Sequence, residues 1–160
     1  MTNFYTGVGS RSTPENILLV MTQLAQILGW GGWTLRSGGA KGADSAFEYG
    51  ASLAEGKREI YYAADANKAA MDLAATIHPA WHKCSTFVKQ LHARNCFQVL
   101  GKDLKTPSKF LVCWTLNGAD TGGTRTAIVL ARNNGIDIFN LGIQSHLDHI
   151  LKYMEDNTVR

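Results

Sequence analysis

Thr6-Gly7-Val8-Gly9-Ser10-Arg11-Ser12 follows the apolar pair Phe4-Tyr5 and leads into a long amphipathic run. That order specifies a strand, a glycine-rich turn and a helix N-terminus. A turn of this kind exposes backbone N–H groups at the positive end of a helix, where a phosphate or another anion binds well. Arg11 adds a charged donor at the same place. Two later stretches repeat the arrangement, Arg36-Ser37-Gly38-Gly39-Ala40-Lys41-Gly42-Ala43-Asp44 and Asp120-Thr121-Gly122-Gly123-Thr124-Arg125-Thr126. Three such turns, each between an apolar segment and a helical pattern, outweigh any one of them.

The segments around these turns alternate. A first helix is predicted from Pro14 to about Trp30, with Thr13 as N-cap, Pro14 at the first helical position and Gly29, Gly31 and Gly32 as its stop. Trp33-Thr34-Leu35 reads as a short strand, and a second helix follows from about Ala43 to Glu55 with a buried face of small residues. Arg58 to Tyr62 reads as a strand, and Ala66, Ala69, Ala70, Leu73, Ala74 and Ile77 mark a third helix. His78 to Ser85 is irregular around Pro79. Phe87 to Leu100 is helical with a weaker stripe. Phe110 to Trp114 is a continuous apolar run, as expected of a strand covered on both faces. A helix from about Thr124 to Asn133 is stopped by Gly135 at C′. Ile136 to Leu141 is the last strand, and Ser145-His146-Leu147-Asp148 has the pattern of a capping box for a final helix.

Strands alternating with helices specify an α/β fold with a doubly wound parallel sheet, Rossmann-like, and right-handed crossovers. Ligands in such sheets bind beyond the carboxyl ends of the strands. All three glycine turns fall there.

The 160 residues fit one domain, spanning 1–160, with its own core. Apolar residues make up 45% and charged residues 18%, a globular composition. The net charge of +3 permits a phosphate-bearing ligand and falls short of the basic excess of a dedicated duplex-DNA binder. Cys84, Cys96 and Cys113 are odd in number and lack a disulfide spacing, and no signal-peptide pattern is present, so a cytoplasmic location is expected. No apolar run approaches the roughly 18 residues of a membrane span.

Gly-Ser-Arg at 9–11, Ser-Gly-Gly-Ala-Lys-Gly-Ala-Asp at 37–44, Ala-Arg-Asn at 93–95 and Gly-Gly-Thr-Arg-Thr-Ala at 122–127 occur in the order seen in DprA/Smf proteins. From about Phe4 to Leu141 the chain resembles their Rossmann-like domain, and more broadly the SLOG superfamily, which also holds the cytokinin-activating LOG enzymes. The resemblance implies nucleotide or nucleic-acid binding at the turns. Two departures narrow it. Where the LOG pattern Gly-Gly-x-Gly-Thr-x-x-Glu has its inner glycine and its glutamate, this chain has Arg125 and Val129. Valine cannot handle a proton or stabilise an oxocarbenium ion, which removes LOG-type hydrolysis by that residue. The resemblance to DprA covers its Rossmann-like domain and none of its extra flanking domains, so recombinase loading is not expected to carry over.

Gly9, Ser10 and Arg11 are expected to hold a phosphate through backbone N–H groups, a hydroxyl and the arginine fork. Ser37, Gly38, Gly39, Ala40 and Gly42 would form a second cradle, with Lys41 as a phosphate contact or a solvated side chain. Asp44 would accept from a ribose hydroxyl or cap its own helix. Thr121, Gly122, Gly123, Thr124 and Thr126 would make a third anion site, with Arg125 either joining it or turned to solvent. The resemblance places Arg94 and Asn95 near the ligand, and a buried arginine requires a partner. Trp114 would stack on a base, worth about 1–3 kcal/mol, or pack in the core.

The expected partner is thus a nucleotide or nucleotide-derived molecule, bound for sensing or sequestration by a homo-oligomer. The alternatives are a nucleotide hydrolase using another carboxylate, Asp44 or Asp120, and a single-stranded DNA binder. No cofactor and no metal are expected. His78, His82 and Cys84, with His92 and Cys96, lack a standard zinc spacing, and Pro79 breaks the helix that would align the histidines.

Overall fold

A computed structural model describes residues 2–158. Its strands are β1 (Phe4–Gly7), β2 (Thr34–Ser37), β3 (Arg58–Ile60), β4 (Phe110–Cys113) and β5 (Asp137–Asn140). They pair in parallel in the order β3-β2-β1-β4-β5. Facing pairs such as Tyr5 with Leu35, Thr6 with Leu111 and Leu111 with Ile138 set the register. The strand order reverses between β1 and β4, and a crevice opens at such a reversal in sheets of this kind.

The helices are α1 (Glu15–Trp30), α2 (Ala43–Leu53), α3 (Lys68–Ile77), α4 (Thr86–Leu100), α5 (Arg125–Asn133) and α6 (Gln144–Thr158). Side chains alternate across each strand, so successive residues feed opposite layers. Tyr5, Leu35 and Val112 pack with α1, α2 and α6 in one apolar cluster. Leu111 and Cys113 pack with α3, α4 and α5 in the other. This is the doubly wound architecture that the alternation specifies. No helix among the described residues is long and apolar enough to cross a membrane.

The second layer also holds a buried polar group. Arg36 is 2% exposed. It lies 3.2 Å from Glu59, donates to the Thr106 carbonyl and the Ser108 hydroxyl, and covers the Phe4 ring at 3.8 Å. Thr6 Oγ1 donates to the Gln98 carbonyl at 2.6 Å. The charge is paired with Glu59 and the Nε and Nη1 donors are used, as a buried guanidinium requires.

Several boundaries differ from the sequence expectation. Pro14, not Thr13, is the N-cap of α1, because Thr13 Oγ1 donates to the Ser10 carbonyl at 2.6 Å instead of capping the helix. Gly29 lies inside α1, not at its stop; a Cβ there would sit 2.8 Å from the Ala54 Cβ, so its role is close helix packing. Helix α2 ends at Leu53, and Glu55 takes a left-handed φ of 53°. Helix α3 starts at Lys68, with the Asn67 side chain accepting from Ala70 N–H at 2.9 Å. Helix α6 starts at Gln144, which puts Ser145 inside it and removes the capping box. Gly135 does stop α5: at φ 67° its N–H donates to the Arg132 carbonyl while Ile136 N–H donates to that of Ala131.

Helices α1 and α2 touch through Gly50, where a Cβ would lie 2.1 Å from the Thr22 carbonyl oxygen and 2.9 Å from the Ala25 Cβ. Gly50→Ala therefore trades a small gain in helix propensity for overpacking against backbone, and a net loss of about 1–3 kcal/mol is expected in urea unfolding. An unchanged or raised midpoint would show that the two helices can separate without cost.

Candidate functional site

Strands β1, β2 and β4 all end at the same sheet edge, and a cleft of about 1090 Å³ opens there. Two of the turns are in direct backbone contact. A Cβ on Gly42, which has φ 85°, would lie 2.9 Å from both the Arg11 Cα and the Ser10 carbonyl oxygen. A Cβ on Gly9 would lie 2.7 Å from that of Ala43 and 3.3 Å from the Trp114 nitrogen. Ser10 N–H donates to the Trp114 carbonyl at 3.3 Å, joining the first turn to the end of β4. These glycines are required by the packing of one turn on another.

Helix α4 ties the other turns. Arg94 Nη1 donates to the Gly38 carbonyl, and Asn95 Nδ2 donates to that of Gly123 at 3.0 Å. His92 Nδ1 lies 2.9 Å from Thr126 Oγ1. Gln98, one turn further along α4, is 1% exposed and borders the cleft, with neither end of its side-chain amide partnered. Arg94 Nε is likewise buried without a partner.

The residues expected from the sequence divide between those that line the cleft and those that do not. Gly9, Ser10 and Arg11 line the cleft, as do Arg94, Asn95 and Trp114. So do Thr121, Gly122, Gly123, Thr124 and Thr126. From the second turn only Ala40 and Asp44 reach it. Ser37, Gly38, Gly39, Lys41 and Gly42 do not line it: Gly39 and Lys41 are exposed to solvent, and the Ser37 hydroxyl is buried without a partner. Carboxylates already occupy two amides of this turn: Gly39 N–H donates to Glu48 at 2.9 Å and Ala40 N–H to Asp44 at 3.3 Å. The second cradle is thus closed on itself. The third turn is a 3-10 segment, Gly122–Thr124, that runs directly into α5, and added Cβ atoms at Gly122 or Gly123 would meet nothing within 4 Å. Its backbone is open to the cleft.

Sequence reasoning left Arg125 undecided. Its Nη1 donates to the Ile77 carbonyl at 3.0 Å, so it closes the end of α3, and it also lines the cleft. His78, His92, Gln98 and Leu116 join the lining as well. None follows a glycine turn, and for the first three only the topology reveals their position. Asp120 pairs with Arg132 at 2.7 Å, a contact that holds its carboxyl below the usual range, and it does not line the cleft.

Among the described residues, three arginines line the cleft (Arg11, Arg94 and Arg125) against one carboxyl, Asp44. Burial raises Asp44 to about 7, against the opposing pull of Arg94. Burial also pulls the Arg94 guanidinium down, with Asp44 opposing. The His92 imidazole is lowered by burial first and then by His78 and Arg94.

No protein-family model matches the sequence, and no curated protein does. Among solved structures, the X-ray structure of DNA processing protein A (DprA) from Streptococcus pneumoniae is similar, with a TM-score of 0.57 and 19% identity. The fold is DprA-like. The likeness covers 96% of this chain and 56% of that chain, so the present chain spans little more than half of the length of DprA. At this identity it is a likeness of architecture, and it leaves chemistry to the site.

The raised Asp44 sets a pH dependence. Its folded value of about 7 lies above the ordinary 3.8, so across that window the unfolded chain has released the proton and the native chain retains it. Each rise in pH there favours unfolding, and the effect levels off above neutrality. Asp44→Asn removes the proton and keeps an oxygen for Ala40 N–H. Urea midpoints measured from acid to neutral pH should show the native chain losing stability relative to this variant. Parallel curves would refute the assignment.

Proposed function

We propose that the cleft binds a nucleotide or nucleotide-derived molecule through its phosphate groups, for sensing or sequestration. The observation that carries this reading is the charge of the lining. Three arginines from three different segments face one cavity whose single acid among the described residues, Asp44, is raised by burial to about 7, in a chain whose net charge is only +3. That imbalance is local, and it suits a compact anion. The open backbone of Gly122 and Gly123 at the start of α5 adds N–H donors of the kind that hold phosphate. The cleft stands at the upper end of the ~300–1,000 Å³ usual for small-molecule sites, enough for a base and ribose as well as phosphate. Trp114, half-buried at the rim, offers a face for the base. The SLOG-like motif at 122–127, which lines the cleft, supports the same ligand class.

A second reading is single-stranded DNA, which the DprA likeness favours, as do large apolar side chains standing out around the cleft. Leu116 at the cleft itself is 65% exposed, and Phe87, next to the lining residue Val88, is 60% exposed. Bases stack on aromatic faces such as that of Phe87, and Leu116 offers apolar contact only. A catalytic version of the first reading would use Asp44, the one acid at hand, as a proton donor.

One set of measurements separates them. Calorimetry with mononucleotides and with short oligonucleotides should give binding to the former, weakened roughly 10–100-fold by Arg11→Ala, in line with the loss of a charge-assisted contact. Arg11 is exposed, so this substitution spares the core. Tight oligonucleotide binding with a steep salt slope would favour the second reading. Recovery of a cleaved nucleotide, with cleavage lost in Asp44→Asn, would make the protein an enzyme.

A further inference from the structure

One corner of the cleft holds a cluster of a different chemistry. His78, Cys84 and His92 each offer one ligand atom, and these atoms lie within 4.8 Å of one another. Cys84 Sγ is 3.8 Å from His78 Nε2 and 3.9 Å from its Nδ1. The two imidazoles meet edge to face with centroids 4.5 Å apart. His78 and His92 border the cleft.

Three pieces of local structure make the cluster. Helix α3 ends at Ile77, so His78 leaves the helical path before Pro79. A short 3-10 turn, Trp81–Lys83, then folds the chain back, with Lys83 N–H donating to the Ala80 carbonyl and Cys84 N–H to that of Trp81. This returns Cys84 to the His78 ring. His92 arrives from α4, and Thr126 Oγ1, 2.9 Å from its Nδ1, fixes the ring from the far side. With Nδ1–H donating to Thr126, Nε2 keeps its lone pair, the arrangement by which an outer partner orients a metal-bound histidine. On His78, Nδ1 accepts from Ala80 N–H at 3.0 Å, so the free ring carries its proton on Nε2, next to the sulfur. A cation would replace one of these two contacts, and binding would release protons from the thiol and its surroundings.

We propose that His78, Cys84 and His92 form a three-ligand site for a divalent transition-metal ion of the zinc class, with its fourth coordination position open to the cleft. Two imidazole nitrogens and a thiolate are a borderline-soft donor set, suited to Zn²⁺ and unsuited to Mg²⁺ or Ca²⁺, which take oxygens. Three protein ligands leave room for water or a ligand oxygen, as in open zinc sites. The opening faces the same cavity as the three arginines, so the ion would add a further positive charge there. The proposal rests on these residues alone and stands whether or not nucleotides bind.

Cobalt(II) is the probe, because it takes zinc sites and reports its geometry by absorption. The 160-residue chain, stripped with chelator, is titrated with Co²⁺ and then challenged with Zn²⁺. One equivalent should give visible bands of tetrahedral strength and a thiolate-to-cobalt charge-transfer band in the near ultraviolet, both abolished by Zn²⁺. Cys84→Ser should remove the charge-transfer band, and Thr126→Val should weaken affinity roughly tenfold by freeing the His92 ring. His82→Ala, which changes the neighbouring exposed histidine, should alter nothing. Circular dichroism without metal checks that each variant is folded, and Cys84→Ser decides alone if Thr126→Val does not fold. A charge-transfer band that persists in folded Cys84→Ser, or only weak octahedral cobalt absorption in the native chain, would overturn the proposal.

Discussion

The cleft depends on the two consecutive residues of α4 that reach to opposite sides, Arg94 to the Gly38 carbonyl and Asn95 to that of Gly123. Loops on an α/β sheet are the mobile part of the fold, and a binding constellation needs them fixed by a rigid element. Here the rigid element is a helix buried along most of its second half, from His92 to Leu100 apart from Arg94. Its backbone is anchored below by Thr6 Oγ1, which donates to the Gln98 carbonyl from the central strand. The sheet thus holds the helix, and the helix holds the turns.

That arrangement requires polar groups in places that favour apolar ones. Arg94 and Asp44 influence each other from positions where burial disfavours both charges, and Arg94 Nε, both ends of the Gln98 amide and the Ser37 hydroxyl have no protein partner. Most buried polar groups in native proteins are satisfied, so the unpartnered Arg94 Nε and Gln98 amide beside the cleft are a cost, as are the Tyr5 and Thr34 hydroxyls elsewhere in the fold. The contrast with Arg36 is instructive. It is more deeply buried, yet Glu59, Thr106, Ser108 and Phe4 occupy its guanidinium, and its role is to hold the sheet and the segment around 101–108 together.

Hydrophobic periodicity made the five strands and six helices legible, because each buries one face or both against the sheet. Capping positions were less legible. Thr13 has the right chemistry to cap α1, but its hydroxyl serves the preceding turn. The second glycine turn reads as an anion cradle, yet its glycines answer to neighbours: Gly42 to Ser10 and Arg11, Gly38 to Arg94 and Asp44, Gly39 to Tyr62. Sequence shows that a turn needs glycine and does not show what comes close to it. Helix α4 gave only a weak stripe because it is buried on several sides and carries polar residues inward. The sequence names His78, Cys84 and His92, but their spacing does not show that they meet. Pro79 does rule out a helical alignment of His78 with His82, but a turn and a distant helix supply the proximity instead.

The position of β1 in the middle of the sheet has a temporal consequence. Strands β1, β2 and β3 are near neighbours in the chain and can associate soon after they are made. The seam between β1 and β4 joins Thr6 to Leu111, so it closes only after an intervening stretch on the order of a hundred residues has been gathered, and long closures are entropically slow. The cleft straddles that seam, with the first turn on one bank and Trp114 and the start of α5 on the other. The cleft is therefore expected to form late as the chain folds, and any guest that grips both banks would act as a bolt across the junction of two half-sheets.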